Sequence, residues 1–242
     1  MTATYDSIGR SYATRRVPDP RLAAAIHAAL GAGDTVLNVG AGTGSYEPAD
    51  RRVIAVEPSI DMIRQRPPGA APVVQAVAEA LPFADGAFDA ALAILTVHHW
   101  RDQAAGLSEL RRVTRGRIVL LTFDPAWRPW LTDYLPQLAE LDAAKMPAMA
   151  DYARWLGAVE TQPLLVPHDC VDGFLYAYWR RPEAYLDPAV RAGSSSFWAI
   201  GDVSVELAKL AADLESGTWH RRYAALLQQE DHDAGYRLVI SG

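Results

Sequence analysis

The sequence predicts an α/β protein built on a mostly parallel β-sheet. Between residues 21 and 123, apolar runs alternate with segments of helical composition, and such alternation implies parallel strands joined by right-handed crossovers. A glycine-rich loop at residues 40–44 directly follows one apolar run, and a second run, residues 53–56, ends at Glu57. A strand, a glycine loop and a strand ending in a carboxylate are how an open α/β sheet builds a nucleoside site.

Each element of this first half has its own signal. Residues 21–30 have helical composition and stop at Gly31, Ser59 caps a short helix that ends before two prolines, and Leu107, Leu110 and Val113 repeat at helical spacing within 102–113. The apolar runs between these helices are predicted to be strands one to five, at residues 34–39, 52–56, 71–77, 89–96 and 117–123.

The second half has a different composition. Residues 124–155 are rich in proline and aromatic side chains and too long for a plain connection, so we interpret them as an inserted helical cap. Beyond them the pattern predicts a sixth strand at 163–166, a helix that opens at 174–179, a helix at 194–214 and a last strand at 236–240.

The glycine spacing indicates which nucleoside is bound. A dinucleotide fingerprint requires glycines at 40, 42 and 45, but position 45 is Ser45 and the third glycine is Gly44. The crossover that follows is only six residues long and contains Pro48, which leaves about one helical turn as a seat for a diphosphate.

Four segments together resemble a known family. The loop Gly40-Ala41-Gly42-Thr43-Gly44 resembles motif I of class I S-adenosylmethionine-dependent methyltransferases, and Glu57-Pro58-Ser59-Ile60-Asp61-Met62 resembles their acidic motif. Residues 78–89, AEALPFADGAFD, and the strand-four segment 91–100 are similar to the ubiquinone-biosynthesis-type (type 11) methyltransferase domain. Tyr5, Tyr12 and Arg16 lie in a segment that resembles the family's N-terminal fold over the cofactor. The resemblance covers residues 5–123.

This resemblance implies a Rossmann-like fold with a seven-stranded, mostly parallel sheet flanked by helices, in which the last strand is a hairpin partner of strand six. It implies a single domain, residues 1–242, with a cofactor lid at 1–20, a cofactor-binding core at 21–123, the cap at 124–160 and C-terminal strands and helices at 161–242. The cofactor implied is S-adenosyl-L-methionine, with S-adenosyl-L-homocysteine as its product.

The resemblance also implies the residues that hold the cofactor. Glu57 would accept the ribose hydroxyls, and Asn38 stands where the family usually has a carboxylate, so the charge that would face the cofactor's cations is missing there. Met62 is either an adenine contact or a core residue, and Glu79 either a contact or a helix-end charge. The full set is Tyr5, Tyr12, Arg16, Asn38, Gly40, Ala41, Gly42, Gly44, Glu57, Pro58, Ser59, Met62, Ala78, Glu79, Leu95 and Thr96.

The candidate catalytic residues are His98 and His99, which follow strand four at its carboxyl end. A histidine has a pKa near neutrality and suits proton removal from an acceptor. Successive side chains at a strand end point in opposite directions, so one of the two is expected to face the cofactor. Aromatic side chains that would line an apolar acceptor pocket are Trp100, Phe123, Trp127, Trp130, Tyr176, Trp179 and Trp198. The histidines lack a metal-ligand spacing, so we expect no metal.

Composition restricts the partners. A net charge of −6 gives no electrostatic footprint for nucleic acid. The single cysteine, Cys170, fits a reducing compartment, and neither a signal-peptide pattern nor a long apolar run is present, so the expected location is the cytoplasm, without a membrane partner. We expect a small-molecule substrate and a monomer or homodimer.

These observations predict a methyltransferase that moves the methyl group of S-adenosylmethionine to a small aromatic or apolar metabolite by in-line displacement. Two alternatives stay open: a non-methylating or non-catalytic protein that binds the same cofactor on the same fold, and a nicotinamide-dependent oxidoreductase, which Ser45 disfavours.

Overall fold

The computed structural model describes residues 16–242, and the expectations for Tyr5 and Tyr12 therefore lie outside the described residues. In this part of the chain the β-strands are β1 Thr35–Val39, β2 Arg52–Val56, β3 Val73–Val74, β4 Ala90–Ile94, β5 Ile118–Phe123, β6 Val159–Pro163, β7 Val166–Pro167, β8 Asp231–His232 and β9 Tyr236–Ser241.

The α-helices of the same part are α1 Pro20–Ala29, α2 Ile60–Arg64, α3 Gln103–Val113, α4 Pro136–Lys145, α5 Met149–Leu156, α6 Pro188–Arg191, α7 Ser195–Ala199, α8 Ser204–Glu215 and α9 Thr218–Arg222. Short 3-10 turns lie at Val97–His99, Trp130–Asp133, Pro182–Leu186 and Leu226–Gln228. None of these helices is long and apolar enough to cross a lipid bilayer.

One seven-stranded sheet organises the molecule, in the order β3-β2-β1-β4-β5-β9-β6. The strands β1 to β5 pair in parallel, whereas β9 is antiparallel to both β5 and β6. The prediction of a mostly parallel seven-stranded sheet, with the last strand as the partner of strand six, is therefore confirmed.

Alternating strand residues send side chains to opposite faces of the sheet, and each face has its own core. On one face Leu37, Ala91 and Leu120 pack with residues of α3 and α5. On the other face Val36, Leu92 and Val119 pack with α1 and with the aromatic second half of the chain. Both faces of the central strands are covered, which explains why β5 is buried along its whole length.

Local sequence signals set the starts of the helices that surround the site. The Ser59 hydroxyl accepts a hydrogen bond from the Met62 N–H at 3.3 Å at the start of α2. Asp102 does the same for the Ala105 N–H at 2.9 Å at the start of α3. Both are N-caps of the expected kind, and they place the two helices directly after the carboxyl ends of β2 and β4.

Three expectations for the second half were wrong. Strand six runs over Val159–Pro163 rather than 163–166, because its antiparallel register pairs Val159 with Ser241 and Pro163 with Arg237. Residues 174–179 form turns instead of a helix. The helix expected at 194–214 is divided into α7 and α8, since Gly201 between them has φ +76°, which interrupts a right-handed helix.

The second half packs around a group of aromatic rings. The Trp130 ring lies 5.1 Å from that of Trp219, 5.7 Å from Tyr185 and 6.1 Å from Tyr134, each nearly perpendicular to it. Such edge-to-face contacts add to the hydrophobic contribution of the buried area. These rings join residues 130–134 to the segment between β7 and β8, so the two segments share one hydrophobic core.

Candidate active site

The glycine loop turns the chain sharply at the end of β1. The N–H groups of Gly40 and Ala41 both donate to the carbonyl of Val56, at 2.9 and 3.0 Å, and this holds the loop against the end of β2. Gly40 has φ +68°, and a Cβ at this position would stand 2.0 Å from Oγ1 of Thr96. Only glycine allows the loop this conformation and this approach to the residue after β4.

Glu57 is fixed at the carboxyl end of β2 by backbone hydrogen bonds. Its Oε2 accepts from the Gly42 N–H at 2.8 Å and its Oε1 from the Ser59 N–H at 2.9 Å. The residue is only 5% exposed, yet it lines the large cavity described next. These two hydrogen bonds orient the carboxylate at the wall of the cavity.

A cavity of about 440 Å³ opens at the carboxyl ends of β1, β2 and β4. Open α/β sheets bind their ligands at this edge. Of the residues predicted to hold the cofactor, those that line it are Arg16, Asn38, Gly40, Ala41, Gly42, Glu57, Pro58, Met62, Ala78, Glu79, Leu95 and Thr96.

Two predicted contacts, Gly44 and Ser59, are not among the described residues of this wall, and their positions explain why. Ser59 is 1% exposed and caps α2. At Gly44, which has φ +96°, a Cβ would come within 3.1 Å of Glu47 and 3.3 Å of Arg66, so this glycine makes room for an ion pair behind the loop.

This ion pair, between Glu47 and Arg66, lies next to Asn38, which stands where a carboxylate is usual in the family. Asn38 Nδ2 donates to Glu47 Oε1 at 3.1 Å, and the Arg66 guanidinium contacts both oxygens of Glu47 at 2.8 Å. Since Glu47 takes the Asn38 amide as donor, the carbonyl oxygen of Asn38 is left to face a ligand cation. Sequence reasoning missed Glu47, whose only signal was its place in the same crossover as the glycine loop.

The chain leaves β4 through a conformation that side chains rarely adopt. Leu95 has φ +49°, and strain of this kind collects at functional sites. The following 3-10 turn, rather than a continued strand, carries His98 and His99, with ring centroids 3.9 Å apart. The alternation expected from strand geometry does not apply in this turn, so the two rings lie side by side, but of the two only His99 lines the large cavity.

A second cavity, of about 60 Å³, adjoins the first. The two share Arg16, Leu95 and His99 in their walls, whereas His98 and Tyr176 line only the second. Phe123, predicted as a pocket-lining ring, also lines it. The rest of the second wall was not predicted and comes from distant parts of the chain: Asp142, Met146, Phe174, Leu175, Gly193, Ser194, Ser195, Ser196 and Tyr236.

The two histidines are weak bases in this setting. Desolvation, followed by the charges of His99, Lys145 and Arg16, lowers the pKa of His98 well below 6.5. His99 is exposed and lines both cavities. Desolvation by the surrounding protein atoms, followed by the charge of Lys145, lowers its pKa to about 4. Both imidazoles are neutral near pH 7.

Arg16 connects the cavities to a buried acidic residue. Its Nε donates to Asp172 Oδ1 at 2.6 Å, and the Tyr46 hydroxyl donates to Oδ2 of the same carboxylate at 2.7 Å. The Arg16 side chain is 9% exposed and Asp172 is 1% exposed, so this is a buried and fully paired salt bridge. It fixes the position of Arg16 at the junction of the two cavities.

The predicted aromatic lining divides into three groups. Trp100 lines the large cavity, and Phe123 and Tyr176 line the second one. The indole N–H groups of Trp130 and Trp179 donate to the backbone carbonyls of Trp179 and Val166, so these two rings belong to the core of the second half. Trp127 and Trp198 lie at the surface, 36% and 56% exposed, and the guanidinium of Arg237 lies over the Trp127 ring.

Comparison with known proteins gives the class of the protein. The family model described as a methyltransferase domain matches residues 37–120, the part that builds the large cavity. A demethylmenaquinone methyltransferase of Mycobacterium sp. (strain KMS) is 31% identical over 165 residues, which cover 62% of this chain and 72% of that protein. The chain therefore belongs to the family of S-adenosylmethionine-dependent methyltransferases, and S-adenosyl-L-methionine is its cofactor.

Two further proteins with similar sequences are also named as methyltransferases. A demethylmenaquinone methyltransferase of Beutenbergia cavernae is 42% identical over 115 residues, so this chain spans about half (47%) of that relative's length and the match covers 42% of this chain. A crystal structure of a protein assigned as a methyltransferase of an antibiotic biosynthesis pathway in Anabaena variabilis is 39% identical. It superposes with a TM-score of 0.86 and covers 94% of this chain and 99% of that one, including the second half.

Proposed function

We propose that this protein transfers the methyl group of S-adenosylmethionine to a small aromatic or apolar metabolite by in-line displacement. The observation that carries the proposal is the Glu57 carboxylate, which two backbone N–H groups orient at the edge of a 440 Å³ cavity beside the glycine loop. A charged acceptor at the end of β2 and a loop without Cβ atoms at the end of β1 form a nucleoside site. When bound there, the cofactor supplies an electrophilic methyl carbon.

The residues of the large cavity have distinct roles in this proposal. Glu57 accepts the ribose hydroxyls, and Gly40, Ala41 and Gly42 allow backbone approach to the amino-acid end of the cofactor. The carbonyl oxygen of Asn38, together with the backbone carbonyls of Leu95 and Thr96, faces its ammonium group. Arg16, with Tyr5 and Tyr12 of the predicted lid, attracts its carboxylate. Pro58, Met62, Ala78 and Glu79 border the adenine.

Glu79 also has a role of its own in the wall. Its Oε1 accepts from the backbone N–H groups of Arg101 and Asp102 at 2.7 and 3.1 Å. The carboxylate therefore ties the loop after β3 to the loop after β4, and its contribution to the cofactor site is to hold the two loops at a fixed separation.

The acceptor would lie against the second half of the chain. The Mycobacterium and Beutenbergia relatives are named for the methyl acceptor demethylmenaquinone. Here four aromatic rings, those of Phe123, Phe174, Tyr176 and Tyr236, form part of the wall of the second cavity. Orienting two reactants in a site that excludes water is worth up to about 7–11 kcal/mol in favourable cases. We therefore assign catalysis mainly to positioning.

The test is turnover. Purified protein would be incubated with S-adenosylmethionine and a panel of small hydroxylated aromatic compounds, and S-adenosylhomocysteine would be quantified by mass spectrometry. Acceptor-dependent formation of S-adenosylhomocysteine is expected. Tight cofactor binding with no turnover on any acceptor would favour the non-methylating alternative, and binding of a nicotinamide cofactor instead would favour the oxidoreductase.

A further inference from the structure

The second cavity contains a buried carboxylate that no cation neutralises. Asp142 of α4 is 2% exposed, and the Tyr176 hydroxyl donates to its Oδ2 at 2.7 Å. Among residues 16–242, no ion pair reaches Asp142 and no hydrogen bond reaches its Oδ1. Desolvation raises the pKa of Asp142 to about 6, against the opposing effects of the Tyr176 hydrogen bond and the charge of Arg128.

Such a carboxylate is costly for the fold. Burial of an ionised group without a charge partner costs several kcal/mol, and Asp172 shows how the same chain stabilises a buried carboxylate that it needs only for structure. Asp172 has Arg16 at 2.6 Å and the Tyr46 hydroxyl at 2.7 Å. Asp142 lacks the cation and faces a cavity instead, which is the situation of a group reserved for a ligand.

The surroundings of Asp142 combine aromatic walls with a polar end. The ring of Phe123 lies 5.0 Å from that of Tyr176 and 5.6 Å from that of Tyr236. The Tyr236 hydroxyl accepts from the Tyr176 N–H at 3.3 Å, which helps to hold Tyr176 in place. The cavity holds the volume of about two water molecules, enough for the reacting end of a ligand.

We propose that the second cavity receives the reacting hydroxyl of an aromatic methyl acceptor, and that Asp142, oriented by Tyr176, accepts this hydroxyl's hydrogen bond and takes its proton. This inference rests on the proposed function. In the step, the O–H bond breaks and the proton moves to Oδ1 of Asp142. The oxygen electron pair forms the bond to the methyl carbon, and the electron pair of the carbon–sulfur bond leaves with sulfur, so no oxidant or reductant is required.

The charges around the cavity favour a hydroxyl over an ammonium group. Arg16 lies in the wall, and after desolvation and the neighbouring His99, the charges of Lys145 and Arg16 further disfavour protonation of His98. A second cation would meet the same repulsion, whereas a hydroxyl that becomes an oxyanion would be stabilised. Asp142, with a pKa near neutrality, is also a better proton acceptor near pH 7 than either histidine.

The experiment uses three probes on the protein saturated with S-adenosylhomocysteine. Phenol carries the hydroxyl, toluene has nearly the same shape without a donor, and benzylamine carries a cation. Calorimetry would measure each affinity for the wild type, Asp142→Asn and Tyr176→Phe. Asp213→Asn is the matched control, because Tyr134 donates to Asp213 at 2.7 Å in a similar pair that is not part of either described cavity wall.

We expect the wild type and Asp213→Asn to bind phenol at least about tenfold more tightly than toluene, and Asp142→Asn to lose that preference. Phenol affinity should increase as the pH rises through about 6, where Asp142 ionises. In Tyr176→Phe this increase should shift to higher pH, because the Tyr176 hydrogen bond lowers the pKa of Asp142. Tyr176 and Tyr236 stay neutral in this range, since burial raises their pKa well above 10.

Unchanged affinity of Asp142→Asn for S-adenosylhomocysteine would show that this variant is folded. Equal affinities for phenol and toluene in the wild type, or equal phenol affinity in the wild type and Asp142→Asn, would overturn the inference. Tighter binding of benzylamine than of phenol would overturn the hydroxyl assignment. A wild type that fails to bind S-adenosylhomocysteine would overturn the proposed function, and this inference with it.

Discussion

The two adjoining cavities are built in opposite ways. Apart from Arg16, the large cavity is lined by residues 38–101, which lie at the carboxyl ends of β1, β2, β3 and β4 and in the segments that follow them. The second cavity draws its wall from seven separate parts of the chain, from Arg16 to Tyr236. Local sequence motifs at the strand ends form the large cavity. The second cavity forms only when segments that are far apart in the sequence pack together. The residues of the cofactor cavity can therefore be predicted from the sequence, whereas most residues of the acceptor cavity cannot.

The buried carboxylates of the two cavities differ in the same way. Glu57 has each oxygen bound to a backbone N–H, so the fold itself orients it. Asp142 has a single side-chain donor, Tyr176, from a segment 34 residues away. A charge held by backbone dipoles suits a cofactor that binds in one orientation, and a charge with a free oxygen suits a proton transfer.

The largest expected effect is a difference in stability between substitutions of two buried acids, Asp172 and Asp142. Asp172→Asn should lower the free energy of unfolding by about 3–5 kcal/mol, because it leaves the buried Arg16 guanidinium without its partner. The isosteric Asp142→Asn should not destabilise the protein near neutral pH, because it removes an ionised carboxylate that lacks a cation. Urea unfolding of both variants would measure this difference.

The pH dependence of that comparison has a definite sign. The pKa of Asp142 is raised from 3.8 to about 6 in the folded state, so the folded state binds more protons than the unfolded state between these values. The contribution of Asp142 to stability is therefore greatest below about pH 4 and is lost by about pH 6, a change of about 3 kcal/mol. Asp142→Asn should gain stability relative to the wild type over this interval, and equal destabilisation by both substitutions would contradict the account.

The next largest effect concerns the glycine loop. Gly40→Ala places a Cβ 2.0 Å from Thr96 Oγ1 in a backbone with φ +68°, and the loop must move away from the cofactor. The affinity for S-adenosylhomocysteine should fall by about 100-fold or more, given strain of about 1–3 kcal/mol together with the steric clash. Calorimetry would measure it.

Gly69→Ala is the control for this prediction. It has φ +85° but nothing within 4 Å of the added Cβ, so it introduces the backbone strain without the clash. Its cofactor affinity should match that of the wild type. An equal loss of affinity in both variants would mean that backbone strain, and not the contact with Thr96, explains the effect.

The smallest expected effect on cofactor affinity concerns the charge of Glu47, which lies behind the glycine loop. Asn38→Asp places a second carboxylate next to Glu47, which already accepts from Asn38 Nδ2 at 3.1 Å. We expect this substitution to weaken S-adenosylhomocysteine binding by about three- to tenfold, because like charges in contact disfavour one another. The double variant with Glu47→Gln should recover most of the affinity, and calorimetry would detect the coupling. Tighter binding by Asn38→Asp alone would show that the cofactor lacks a counter-charge at this position.

Much of the fold was predictable because its signals are local. The glycine loop, the N-cap Ser59 and the alternation of strands and helices depend on neighbouring residues, and the predicted sheet was confirmed. Strand six was misplaced because its bounds depend on the register with β9, which lies more than 70 residues away. His98 and His99 lie side by side, and not on opposite sides as strand geometry predicts, because the chain turns into a 3-10 helix at Val97 instead of continuing β4.

Asp142 had one weak signal in the sequence. Leu138 and Asp142 are four residues apart and both are buried on α4, so an acidic residue occupies a place on the helix's inner face. A charge on an inner face indicates a special environment, but periodicity alone could not identify that face in a helix of such mixed composition. The contacts of Asp142 with Tyr176 and the cavity required the tertiary structure.

The most direct test of the account is titration of the protein with S-adenosylhomocysteine by calorimetry, on the wild type, Glu57→Gln and Glu109→Gln. Glu109 is the matched control, since its carboxylate also accepts from a backbone N–H, that of Leu81, but away from the cavity. The account predicts binding to the wild type and Glu109→Gln, and a loss of about tenfold or more in Glu57→Gln. Absence of binding to the wild type, or equal binding to wild type and Glu57→Gln, would contradict it.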